Sequence, residues 1–162
     1  MATQSFRRIL EILDAHGVEY IVVGGVAAVL HGAPVTTFDI DTLVKVDSAN
    51  SDRVAKALTE LDARFREHHS LRPTAADVAA GGHLLLLTSS GPLDVLGFIG
   101  GGMRYEDVAD RTETVNIDRL SIRVLSLEAL LEDKRALGRD KDLPAVRLLE
   151  TLVERRNKPR RD

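Results

Sequence analysis

Cysteine is absent from the 162 residues, which excludes disulfides and thiolate zinc sites. Tryptophan is absent too, and aromatics make up only 4%. A core must then be built mostly from Leu, Val, Ile and Ala. No apolar run reaches the roughly 20 residues that a membrane-spanning helix needs. No leader pattern opens the chain, so a cytoplasmic protein is expected. Charge of one sign is lacking as well. The 22 Lys and Arg against 25 Asp and Glu leave a net charge of −3, with no global pull toward nucleic acid. One local exception is the cluster Arg155, Arg156, Lys158, Arg160 and Arg161. It reads as a basic, solvated tail over 154–162 rather than an RNA contact. What is present is 44% apolar and 29% charged residues, the balance of a globular protein. The length suits one domain, 1–162, with a sizeable core. There is no internal repeat and no low-complexity segment.

The stretch with the clearest chemistry is Asp39-Ile40-Asp41. It lies within residues 35–46, β-branched and apolar positions bounded by Pro34 and by Asp47-Ser48, which predicts a strand. Strand side chains alternate faces. Asp39 and Asp41 should then share one face, and Phe38, Ile40, Thr42 and Val44 the other. Two like charges about 4 Å apart cost roughly 4 kcal/mol at a surface-like dielectric of about 20. An exposed edge strand with two solvated acids would explain the pair. A divalent cation would explain it too, because hard cations prefer carboxylate oxygen.

Around that strand the chain reads in order. Phe6, Ile9, Leu10 and Leu13 recur at helical spacing and predict a helix over 4–16, ended by Gly17. A buried strand over 18–23 runs into Gly24-Gly25 and a short helix over 26–31. A glycine corner between strand and helix turns backbone N–H groups outward, a natural cradle for phosphate; glycines at such corners also serve geometry alone. Ser48 is the expected cap of a helix over 49–63 with a Val54, Ala57, Leu58, Leu61 stripe. Residues 65–72, with His68 and His69, give no readable pattern, and 74–80 suggests a short helix. Strands over 83–88 and 93–98 flank a turn at Ser89-Ser90-Gly91-Pro92. Asp94 stands alone there between apolar runs and needs a partner. Gly100-Gly101-Gly102 suggests a moving loop. A helix over 105–109 and a second hairpin turning at Asp118-Arg119 follow. Ser126 and Gly138 bracket a helix, and 142–155 is the last one. His31 reads as structural. Lys134 reads equally as a solvated residue or a site residue. Arg139, Lys141 and Asp142 read as a turn in which Asp142 caps the last helix.

Gly24-Gly25, His31-Gly32, Pro34, Thr36-Thr37 and Asp39-Ile40-Asp41, followed by Asp94, resemble the signature of the polymerase-beta-like nucleotidyltransferase superfamily. The segment 124–142, with Lys134 and then Gly138-Arg139-Asp140-Lys141-Asp142, is similar to its small bacterial branch. That branch includes abortive-infection-type toxins and minimal nucleotidyltransferases. The resemblance covers residues 5 to 153 and implies an α+β, α/β-like fold: a mixed or antiparallel sheet with flanking helices, two of them C-terminal. It implies metal-dependent transfer of an NMP from an NTP, such as ATP, to an acceptor hydroxyl on tRNA, protein or a small molecule. A toxin with an antitoxin partner is its most specific version. It further implies that Asp39, Asp41 and Asp94 hold Mg²⁺ or Mn²⁺. Gly24, Gly25, Thr37 and Lys134 would meet the nucleotide, with Lys134 steadying phosphate or acceptor. Asp142 would close the site or anchor the C-terminal helices.

Two positions depart from the pattern. The branch commonly carries an arginine where this chain has Val35, and a polar residue where it has Phe38. A catalytically silent nucleotide- or partner-binding module of the same fold is the alternative they suggest. Against it, a dead site has no reason to keep three mutually repelling acids.

Overall fold

The computed structural model describes residues 2–159. Helix α1 (Ala2–Ala15) buries Ile9, Leu10, Ile12 and Leu13 and is followed by Gly17, whose left-handed φ of +68° favours glycine. Strand β1 (Tyr20–Val23) is buried at every position and feeds directly into α2 (Gly24–Leu30). Both glycines of the corner therefore belong to the helix. Strand β2 (Ile40–Val44) comes next, then α3 (Ser48–Glu60), β3 (Arg64–Phe65) and α4 (Ala75–Ala79). The hairpin β4 (His83–Thr88) and β5 (Gly91–Leu96) precedes α5 (Tyr105–Val108). A second hairpin, β6 (Thr112–Ile117) and β7 (Leu120–Leu125), turns at Asp118, as expected. Helices α6 (Leu127–Leu137) and α7 (Leu143–Asn157) close the chain.

The seven strands form one mixed sheet in the order β3-β4-β5-β2-β1-β7-β6. The two hairpins and the β1–β2 and β3–β4 pairs are antiparallel. Strands β2 and β5 run parallel, as do β1 and β7. The central strands β1 and β2 lie inside the sheet, and their apolar residues Ile21, Val22, Ile40 and Leu43 are fully enclosed. Helices α1, α2, α3 and α6 add Leu10, Ala27, Leu58 and Leu130 to the same core. No described helix is long and apolar enough to cross a membrane.

Several expectations change. Strand β2 starts at Ile40, not at residue 35. Thr37 holds the chain ahead of it in a turn, its hydroxyl donating to the Asp39 carbonyl at 3.0 Å. Phe38 therefore does not share the inward face of Ile40, Thr42 and Val44; it is 81% exposed. Asp47, not Ser48, caps α3 by accepting the Asn50 N–H at 2.7 Å. Asp142 does not cap α7 with its side chain. Gly100-Gly101-Gly102 forms a tight turn closed by the Ile99–Met103 bridge. Of the expected basic tail, residues 154–157 continue α7, and Arg156 pairs with Glu113 at 2.9 and 3.1 Å. Arg160 and Arg161 lie outside the described residues.

Candidate metal centre

The parallel register of β2 and β5 sets Asp41 directly beside Asp94. Neighbouring strands lie about 4.8 Å apart and paired residues share a face, so the two carboxylates meet. Asp39 joins them from the turn just ahead of β2. One carboxylate oxygen from each of the three lies within 4.8 Å of the other two, and all three residues are half-buried. Among the described residues this is the one group of three such ligands. His68 and His69 belong to none.

The glycine corner packs against the same carboxylates. Gly24 has φ +67°, and a side chain there would place its Cβ 2.1 Å from Asp41 Oδ2. A Cβ on Gly25 would lie 2.9 Å from Thr37 Oγ1. Both glycines thus keep space open that any other residue would fill.

Three acids this close cannot all stay charged without help. Burial pushes the Asp41 carboxyl up to about 8, with the hydrogen bond and charge of Asp94 and the charge of Asp39 adding to it. Burial and then the Asp94 charge raise Asp39 as well. Asp41 Oδ1 is buried and has no hydrogen-bond partner. A buried acceptor left without a donor costs about 1–3 kcal/mol. A cation would satisfy it. The donor set is all carboxylate oxygen, which suits a hard divalent ion such as Mg²⁺ or Mn²⁺. The residues present therefore fit the metal they would hold.

Lys134 does not touch the triad. Its Nζ lies 3.5 Å from Asp142 Oδ1. Its charge still opposes the rise at Asp41. It borders two clefts. One, of about 230 Å³, is also lined by Asp41, Asp94, His83, Phe98 and Asp133. The other, of about 190 Å³, is lined by Gly24, Gly25, Val35, Thr36 and Leu130. A larger cleft of about 340 Å³ lies between α1, α2 and the β6–β7 turn and reaches this region only through Val35 and Thr37. Its charged residues Arg7 and Asp118 pair with each other, and none of the three triad acids lines it. Asp142 is buried, accepts from Arg139 Nε at 2.6 Å and anchors the α6–α7 junction. Burial alone would raise its carboxyl; the Arg139 hydrogen bond and the Lys134 charge outweigh that and hold it low. His31 is structural, as read from the sequence: its Nε2 meets the Leu125 carbonyl at 2.8 Å and its Nδ1 faces Glu113 at 3.4 Å.

Two residues escaped the sequence reading. Arg66, in the unreadable stretch, donates through Nη2 to Asp94 Oδ1 at 2.8 Å and to the Leu86 carbonyl at 3.0 Å. The need of a lone strand Asp for a partner was the available signal; which residue met it was not legible. Asp133 is buried with Oδ1 unpartnered, and burial raises its carboxyl. Nothing in the α6 periodicity marks it, since Asp and Arg flank Lys134 alike.

No protein-family model matches the sequence, and no curated protein matches it. Solved structures do. The nucleotidyltransferase candidate TM1012 from Thermotoga maritima superposes with a TM-score of 0.60 at 22% identity, over 94% of this chain and 92% of that one. The antibiotic-resistance factor ANT(2'')-Ia superposes with a TM-score of 0.63 at 16% identity, over 94% and 86%. The chain has the nucleotidyltransferase fold.

Proposed function

We propose that this chain is a divalent-metal-dependent nucleotidyltransferase that moves a nucleoside monophosphate from an NTP to an acceptor hydroxyl. The observation that carries the reading is the convergence of Asp39, Asp41 and Asp94 beside the Gly24 corner, with Asp41 Oδ1 unpartnered. Asp39, Asp41 and Asp94 would hold the metal. When bound, Mg²⁺ or Mn²⁺ supplies Lewis-acid stabilisation of the attacking and leaving oxygens. The chain itself does the positioning on which phosphoryl chemistry depends. Gly24 and Gly25 leave room for the triphosphate, and Thr37 faces Gly25 across that space. Lys134, bordering both clefts, steadies the phosphate or the acceptor. Asp94 takes the hydroxyl proton of the acceptor in this reading. The acceptor oxygen then forms its bond to the α-phosphorus, the bond to the β-phosphate oxygen breaks, and pyrophosphate leaves.

The acceptor is an RNA end, a protein side chain or a small molecule. An RNA or protein acceptor accords with a toxin held by an antitoxin; a small-molecule acceptor accords with the resistance factor of the same fold. Incubation with each labelled NTP, Mg²⁺ and fractionated cellular RNA, protein and small molecules tests the proposal. Label entering one fraction, and lost in Asp39→Ala, is the expected result. Nucleotide binding without pyrophosphate release under every condition would mean a silent module of the same fold and overturn the enzyme reading.

A further inference from the structure

We infer that Arg66 is the resident counter-cation of the acidic triad, a positioning residue that holds Asp94 in the unloaded site and sets how tightly the site takes a divalent ion. The inference rests on the metal-site reading above. Arg66 follows β3 directly, and its backbone N–H donates to the Leu85 carbonyl at 2.9 Å. Leu85 is the register partner of Asp94. The side chain thus starts one strand away from the triad and crosses β4 to reach it. Its Nη2 donates both to the Leu86 carbonyl at 3.0 Å and to Asp94 Oδ1 at 2.8 Å, while its buried Nε has no partner. Asp94 is 14% exposed at its side chain and Arg66 35%, so the pair is only partly screened.

Two consequences follow from charge alone. Without Arg66 three carboxylates would face one another with no cation in direct contact, since Lys134 is committed to Asp142. With Arg66 in place the cluster keeps its shape before any metal arrives. The same fixed positive charge opposes a divalent ion entering the triad. A single and a double positive charge about 6 Å apart change affinity roughly tenfold even under water-like screening. The guanidinium keeps its Leu86 anchor when Asp94 turns to an ion, so it can yield the carboxylate without leaving the site.

Mn²⁺ binding to the full chain, stripped with EDTA and followed by electron paramagnetic resonance, tests this. Asp41→Asn serves as the control for the site itself. Arg66→Gln is expected to bind Mn²⁺ about tenfold more tightly than the parent. Arg66→Lys, which keeps the charge, stays nearer the parent. The melting temperature of Arg66→Gln falls in EDTA and recovers in Mn²⁺, because the ion replaces the missing charge. Unchanged or weaker Mn²⁺ affinity in Arg66→Gln, with the same melting loss in EDTA and in Mn²⁺, makes Arg66 a brace only and overturns the inference while the metal site stands. Parent protein that binds no Mn²⁺, or binds it equally in Asp41→Asn, removes the metal site and the inference together.

Discussion

Asp41 meets two opposing demands. Its carboxylate would have to be charged to hold a cation, yet burial and two neighbouring acids push its pKa up to about 8, far above the ordinary 3.8. A group raised on folding keeps a proton that the unfolded chain releases. Its stabilising contribution is complete below about pH 4 and is lost as pH rises through about 8. The metal-free protein should therefore melt at progressively lower temperature from pH 5 to pH 9. Asp41→Asn should flatten that slope and melt no lower than the parent at pH 8, while abolishing transfer; a thermal melt series in EDTA checks both. Asp94→Asn is a less clean test, because Arg66 would lose its partner. At Gly24 the added methyl of Gly24→Ala would collide with Asp41 Oδ2 and force a left-handed backbone on alanine. Strain of this kind costs of order 1–3 kcal/mol. Chemical denaturation should show a loss in that range, with weaker Mn²⁺ binding. The three acids and both glycines were legible as residues. Arg66 was not, because nothing local distinguishes it from Arg72 in the same stretch.

At the scale of elements, the helices were the most legible. Apolar positions three and four apart place α1, α3 and α6, and Ser126 and Gly138 bracket α6 as caps do. Strand ends were the least legible. Residues 35–39 have strand-like composition, but Thr37 bonds the Asp39 carbonyl and turns the chain instead. This turn frees Phe38 to solvent and brings Asp39 to Asp41 and Asp94. The α6–α7 junction shows a similar substitution of roles. Asp142 has the residue type of an N-cap, yet it lies buried between Lys134 and Arg139 and ties the two helices together. Asp142→Ala should cost about 1–3 kcal/mol, since it leaves both cations without their shared acceptor. Urea unfolding measures that loss. Lys134 should at the same time lose its fixed position, raising KM for the NTP more than it lowers kcat.

For the whole molecule, the sheet order decides what the site is. Strand β2 lies between β1 and β5, so the Gly24 corner at the end of β1 and Asp94 on β5 flank Asp41 from opposite sides. Metal binding to such a site is binding to the folded state alone. It should raise stability by about 2.7 kcal/mol when the ion is at a hundred times its Kd. A thermal shift with Mg²⁺ or Mn²⁺ that vanishes in Asp39→Ala checks this. The amino-acid order by itself determined the composition of the core, the identity and order of most elements and the residue types of the site, because periodicity, caps and turn residues act over a few positions. Only the tertiary structure decided that β2 and β5 pair in parallel with Asp41 opposite Asp94, that β1 pairs with β7, and that Arg66 crosses β4 to the triad. Those choices depend on which distant apolar faces bury one another, and such burial is settled by the whole chain at once.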